Sequence, residues 1–244
     1  MSRPALKLGA MAELRIDVWS DIACPWCYVG KRRLEHALAE FPHADAVEVV
    51  WRAFELDPVA PKERDPSVSH AERLAKKYGM STEQARKNSD RLRDIARSEG
   101  LRFDFEHIRS GSTFDAHRLV HLGRERGRQD AVKERLLRAY LEEGALMSDH
   151  PTLLRLAVEA GLDETEVAEV LASDAHAEAV RADEAQAHEL GINGVPCFVF
   201  DERFAVSGAQ SPQTLLSALH QAWSEREPKS AELAEDAVCD PDDC

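Results

Sequence analysis

Strand-like patterns occur only toward the two ends of this 244-residue chain, and a long helical stretch lies between them. Leu14 to Trp19 alternates apolar and polar residues and is rich in β-formers. Val47 to Leu56 does the same, and Pro58 and Pro61 close it. Between these segments Val29, Leu34, Ala37, Leu38 and Phe41 recur at helical spacing from Pro25 to about Glu40. Pro25 suits a first helical position, because its missing N–H would be unpaired there in any case. The result is β–α–β, which points to a parallel strand pair with a crossover helix.

From about Ser69 to Leu190 the pattern is helical, with about six helices. Ser81 with Gln84 and Ser112 with Asp115 resemble capping boxes, Gly161 reads as a helix stop and Asp163 as the next cap. Strands return at Pro196–Asp201 and Phe204–Ser207, joined by a tight turn at 201–203, and Pro212 opens a last helix. The two sheet-forming parts together span about 85 residues, so neither could bury a core alone. The simplest solution is one α/β core with a helical insertion. The expected parts are 12–62, the insertion 63–188, 189–226 and an acidic tail 227–244.

Charge excludes some functions. With 31 Lys+Arg against 45 Asp+Glu the net charge is -14, which disfavours nucleic acid and anionic membrane surfaces as partners. No run approaches the length of a membrane span, and no signal-peptide core is evident, so a cytoplasmic location is expected. Gly-rich phosphate loops, G-x-S-x-G and Walker patterns are absent, and no cofactor is implied.

Five cysteines remain to be explained. Cys24–Pro25–Trp26–Cys27 lies where the first strand hands over to the first helix. A thiol there meets the unpaired N–H groups of a helix N-terminus, so the Cys24 thiol is expected to fall in pKa and act as the nucleophile. Cys27, three residues on, is within reach to break a mixed disulfide. Half of a zinc site is the other reading, but the next cysteine, Cys197, is 170 residues away and no second knuckle exists, so no metal is expected here. Cys197 itself reads as a small buried hydrophobe.

Cys239 and Cys244 close the chain in a segment that holds eight acidic and two basic residues from Glu225 onward. They read as exposed thiols without a role, as a second redox pair trading electrons with Cys24–Cys27, or as a soft-metal clamp. The spacer before Cys239 could extend about 45 Å, beyond a domain radius of about 18 Å. Two carboxylates are candidates for proton transfer. Asp21 would raise the Cys24 thiol or shuttle its proton, or it simply caps the turn; Asp17 could serve if it points beneath the cysteines. His117 and His121 are four apart on a helix and lack a third ligand in register.

Gly194–Val195–Pro196 stands directly before the third strand. Together with a C-x-x-C opening the first helix, it resembles the thioredoxin superfamily. The helical insertion narrows the resemblance to DsbA-like proteins. The stretches CPWCYVGK (24–31), WRAFELDP (51–58) and GINGVPCFVF (191–200) look like the FrnE-type branch. The resemblance spans residues 14–225. It implies a thioredoxin fold and a thiol–disulfide oxidoreductase or isomerase with Cys24 as nucleophile and Cys27 as resolving thiol. It further implies a cis Pro196 packed on the active-site pair, with the Val195 backbone contacting substrate beside Pro25 and Trp26.

Secreted DsbA-like oxidants carry a signal peptide and a His before the second cysteine, where this chain has Trp26. A less oxidising couple is therefore expected. Implied partners are proteins with disulfides or thiols, and an electron donor such as thioredoxin or a low-molecular-weight thiol. Two rivals remain: kappa-type glutathione transferases or isomerases share the fold but typically have Ser at the Cys24 position, and a thiol-based sensor, holdase or metal buffer would not need exchange at all.

Overall fold

The computed structural model describes residues 13–226. The tail with Cys239 and Cys244 lies outside the described residues. Four strands form one sheet: β1 (Leu14–Ser20), β2 (Val47–Ala53), β3 (Cys197–Phe200) and β4 (Phe204–Ser207), in the order β2–β1–β3–β4. β1 runs parallel to β2 and antiparallel to β3, and β4 continues antiparallel. Helix α1 (Pro25–Glu40) makes the parallel crossover and α9 (Pro212–Arg226) follows β4. This is the expected thioredoxin fold.

Seven helices, not six, stand between β2 and β3 among the described residues. They are α2 (His70–Tyr78), α3 (Thr82–Ser98), α4 (Phe114–Glu125), α5 (Gln129–Glu143), α6 (His150–Glu159), α7 (Glu164–Ala172) and α8 (Ala177–Glu189). Ser81 and Asp163 cap α3 and α7 through their side chains, as their spacing predicts. The Ser112–Asp115 box does not form. Thr113 is the cap residue of α4, and Ser112 Oγ accepts only from the Phe114 amide. Ser69 and Glu72 form a reciprocal box at α2 instead.

Strand β2 also stops earlier than Leu56. The Ala53 amide donates to Asp183 Oδ2 at 2.9 Å and the Leu56 amide to Asp21 Oδ2 at 2.8 Å, so side chains rather than a neighbouring strand take these donors.

The pleat of β1 divides the molecule. Leu14, Ile16 and Val18 enter one continuous core with Tyr28, Val29 and Leu34 of α1, Phe198 and Phe200 of β3, Leu215 and Leu219 of α9, and Leu119, Leu136 and Leu137 of the insertion. The insertion therefore shares the sheet's core. Trp19 and Val199 face the other way, into a smaller cluster with Cys197, Ala187 of α8 and Ile192.

Candidate active site

Cys24 is the residue before the first turn of α1, and Pro25 occupies the first helical position. The helix comes close to the strand behind it at Gly30: a Cβ there would sit 2.8 Å from Pro196 Cγ and 3.2 Å from Phe198 Cζ. Only a glycine lets α1 lie flat against this loop. The Val195–Pro196 bond is cis, and Cys24 Sγ stands 3.6 Å from the Val195 carbonyl, to which its S–H can donate. Both cysteines are buried, Cys27 completely and Cys24 to 5% exposure, so Cys24 is the one nearer the surface. Trp26, 40% exposed, and Leu56 present exposed apolar surface on the segments beside the pair, and Phe54 and Val195 are half-buried.

The charges around the pair overturn one expectation. The Cys24 thiol is not lowered. Its hydrogen bond to Cys27, its burial, the charge on Cys27 and the Asp21 carboxylate push it well above the usual thiol range. Burial also opposes a charge on Cys27, but there the hydrogen bond from Cys24 and the Lys133 ammonium prevail and bring the thiol down. The two thiols titrate as one coupled pair, and Cys27 is the sulfur that gives up its proton first. Cys24 becomes a nucleophile when its proton passes to an ionised Cys27 within the coupled pair.

Asp21 is buried, and two of its three expected roles, closing the turn and raising Cys24, have a structural basis. Its Oδ1 accepts from the Ala23 amide at 3.2 Å, a local turn, and its charge bears on Cys24. Thr113 Oγ1 donates to it at 2.9 Å, and His117 Nε2 lies 3.4 Å away. Burial would raise the carboxyl, but His117 and the Leu56 and Ala23 amides outweigh it and hold it low. Burial and the Lys133 charge in turn lower His117, which is therefore neutral at pH 7.

Asp17 is not beneath the cysteines. Its odd position in β1 puts it on the opposite face from Ser20, where it accepts from Arg15 at 2.8 Å and Arg52 at 2.6 Å. It lines a polar hollow of about 360 Å³ with Arg15, Asp201, Glu202, Arg203 and Arg226. Cys197 is buried among Trp19, Ala187 and Ile192, and burial raises its thiol. No three His, Cys, Asp or Glu side chains among the described residues are placed to hold a metal.

Sequence reasoning missed Lys133, Thr113, Ser20 and the part played by His117. Lys133 is fully buried, and its Nζ donates to the Ser20 carbonyl at 3.1 Å. A signal existed: Lys133 precedes Leu136, Leu137 and Tyr140 by three, four and seven residues, the spacing of a helix's buried face.

The sequence profile of the DSBA-like thioredoxin domain matches residues 15–220. A solved structure described as a probable DsbA oxidoreductase from Streptomyces coelicolor is 48% identical, with a TM-score of 0.83, over 95% of this chain and 98% of that one. The uncharacterized protein YwbO of Bacillus subtilis is 27% identical over 78% of this chain and 88% of its own. A 2-hydroxychromene-2-carboxylate isomerase shares the fold at 17% identity and a TM-score of 0.64, over 86% of this chain and 97% of that one. With its profile match running almost from β1 to the end of α9, the chain belongs to the DsbA-like thioredoxin domain family.

Proposed function

We propose that this protein exchanges disulfides with protein substrates through Cys24 and Cys27, as a thiol–disulfide oxidoreductase or isomerase. The observation that carries this reading is the asymmetry of the pair: Cys24 keeps the residual exposure beside the Val195 carbonyl, while Cys27 is fully buried and its thiol is the one brought down. Cys24 attacks a substrate disulfide and displaces one substrate thiol. Cys27 then attacks the Cys24 sulfur, closes the Cys24–Cys27 bond and releases the second thiol. A donor such as thioredoxin or a low-molecular-weight thiol resets the pair, in a cytoplasmic setting that keeps dithiols reduced. Isomerisation uses the first step alone. The same fold in an isomerase shows that architecture does not choose between these chemistries; the dithiol favours exchange over glutathione-dependent transfer.

The test is reduction of a protein disulfide by Cys24→Ser and Cys27→Ser. The first should lose all activity and the second should accumulate a mixed disulfide visible by mass spectrometry. Full activity in both variants refutes the reading. The same spectra of the oxidised wild type report on the proposed tail pair, either as its own Cys239–Cys244 disulfide or as a cross-link to the active-site cysteines.

A further inference from the structure

A buried ammonium normally stands among carboxylates. Lys31 shows this: it contacts Glu35, Asp130 and Glu134, the last two at 3.1 Å. Lys133, more deeply buried, has no ion pair among the described residues and uses one of its three donors, on the neutral Ser20 carbonyl. Its remaining neighbours are the Trp51 ring, 5.8 Å from Nζ, and the charges of Cys27, Asp21 and Cys24. The Ser20 hydroxyl, also fully buried, has no hydrogen-bond partner within normal distance among the described residues, and it lies near enough to Cys27 to favour its charge. An isolated buried cation is costly to a fold. Here it sits on the last residue of β1, four residues before Cys24, and α5 carries it there from the insertion.

We propose that Lys133 is the positioning cation of the resolving sulfur, stabilising the thiolate that forms on Cys27 before it attacks the mixed disulfide. The inference rests on the exchange reading and extends it: the insertion, rather than the dipeptide Pro25–Trp26, supplies the positive charge. In the mixed disulfide Cys24 carries no proton to share with Cys27, so Lys133 is the chief charge left to support that thiolate. Cys27 then bonds to the Cys24 sulfur, the bond from Cys24 to the substrate sulfur breaks, and the Cys27 proton ends on the departing substrate thiol. The substrate disulfide is the oxidant and no other is needed.

The groups facing Lys133 are Cys24, Cys27 and Lys31 of α1, Ser20 and Asp21 at the end of β1, Trp51 of β2 and His117 of α4. Burial brings the lysine down to about 8 against the pull of the Cys27, Asp21 and Cys24 charges. Coupling of this kind is reciprocal: the thiolate must hold the lysine's proton as firmly as the lysine favours the thiolate.

The experiment is a pair of titrations on the full chain. Lysine side-chain NMR of wild type, reduced and oxidised, follows the Lys133 amine. Its proton affinity should drop about tenfold when the disulfide removes the Cys27 charge. Thiolate ultraviolet absorbance, taken as a difference against the Cys24→Ser/Cys27→Ser double variant, follows the pair. In Lys133→Met the first thiolate should form with about tenfold lower acidity, and a mixed disulfide at Cys24 should resolve about tenfold more slowly. Lys133→Arg should restore both. A purely structural lysine would shift the melting temperature and leave these titrations alone.

Identical titrations in wild type and Lys133→Met, with exchange intact, overturn the assignment and leave the dithiol reading standing. So does a Lys133 midpoint that ignores the redox state, which needs no variant to fold. Shifted titrations in a protein that exchanges no disulfide support the Lys133–Cys27 charge pair and overturn the exchange reading instead.

Discussion

His117 and His121 stand one turn apart on α4, and each reaches a buried carboxylate in a different environment. His121 Nε2 lies 2.9 Å from Asp183 Oδ2, and Asp183 also accepts from Arg52 at 2.8 Å and from the Ala53 amide at 2.9 Å. Its carbonyl takes the Trp19 indole N–H at 2.8 Å. This carboxylate is saturated by a guanidinium and by backbone, and it fastens α8 to the sheet. Asp21 receives neutral donors, the Thr113 hydroxyl and two amides, with His117 at a longer 3.4 Å. No guanidinium among the described residues answers it, and its charge is left to act on Cys24 and Lys133. Burial is the same at both sites. What differs is the partner set: one site is closed into a structural lock and the other is left electrically open toward the thiols.

Replacing each carboxylate separates the two. Asp183→Ala strips a buried partner from Arg52, His121 and the Ala53 amide, and should lower stability by about 3–5 kcal/mol in a denaturant titration. The thiolate titration of the Cys24–Cys27 pair should not move. A shift there would show that the two nodes are one electrostatic unit and end the contrast.

Asp21→Asn should cost less, about 1–3 kcal/mol, because the amide oxygen still accepts from a backbone N–H. Its signature is chemical. Loss of the carboxylate charge that raises Cys24 should lower that thiol and speed its alkylation at neutral pH by about two- to tenfold. An unchanged alkylation rate, with stability lost, would make Asp21 a turn residue and nothing more.

These sites differ also in how far the sequence could announce them. The β–α–β start and Cys24 at the head of α1 are local facts, carried by alternation, by Pro25 and by a helical period. The end of β2 is not local: it depends on Asp21 and Asp183 taking the Leu56 and Ala53 amides from distant segments. Asp17 needed the register of β1 against its neighbours before its face could be read, and that register places it beside Arg52. Lys133 and His117 lie far from the cysteines along the chain. Helical periodicity marks Lys133 as buried, yet it says nothing of which cavity floor the helix covers. The fold was largely legible from pattern; the charges that tune the dithiol come from tertiary packing of the insertion on β1 and α1. The lowered Cys24 expected from its helix position failed for the same reason, since the coupling to Cys27 and burial, with a smaller push from Asp21, raise the thiol.

Glu55 offers the finest test of the boundary between lock and open site, because it follows Phe54 on the chain that links them. Its amide donates to Glu184 Oε1 at 3.2 Å, and its buried carboxyl accepts from the half-exposed Arg181 at 2.8 Å. Burial, with the Glu184 and Asp21 charges, pushes Glu55 from 4.5 up to about 7 despite Arg181. Between those values the folded protein holds a proton that the unfolded chain has released. Stability should therefore fall as pH rises through this window and level off above about pH 7. Glu55→Gln keeps the shape without the charge and should flatten that slope, a difference of about 1–3 kcal/mol at neutral pH after allowance for solvent screening. Equal slopes in the two proteins would mean that Glu55 is ionised throughout. The Arg181 pair would then belong with the saturated node of α8, and Asp21 alone would mark where that lock ends and the redox site begins.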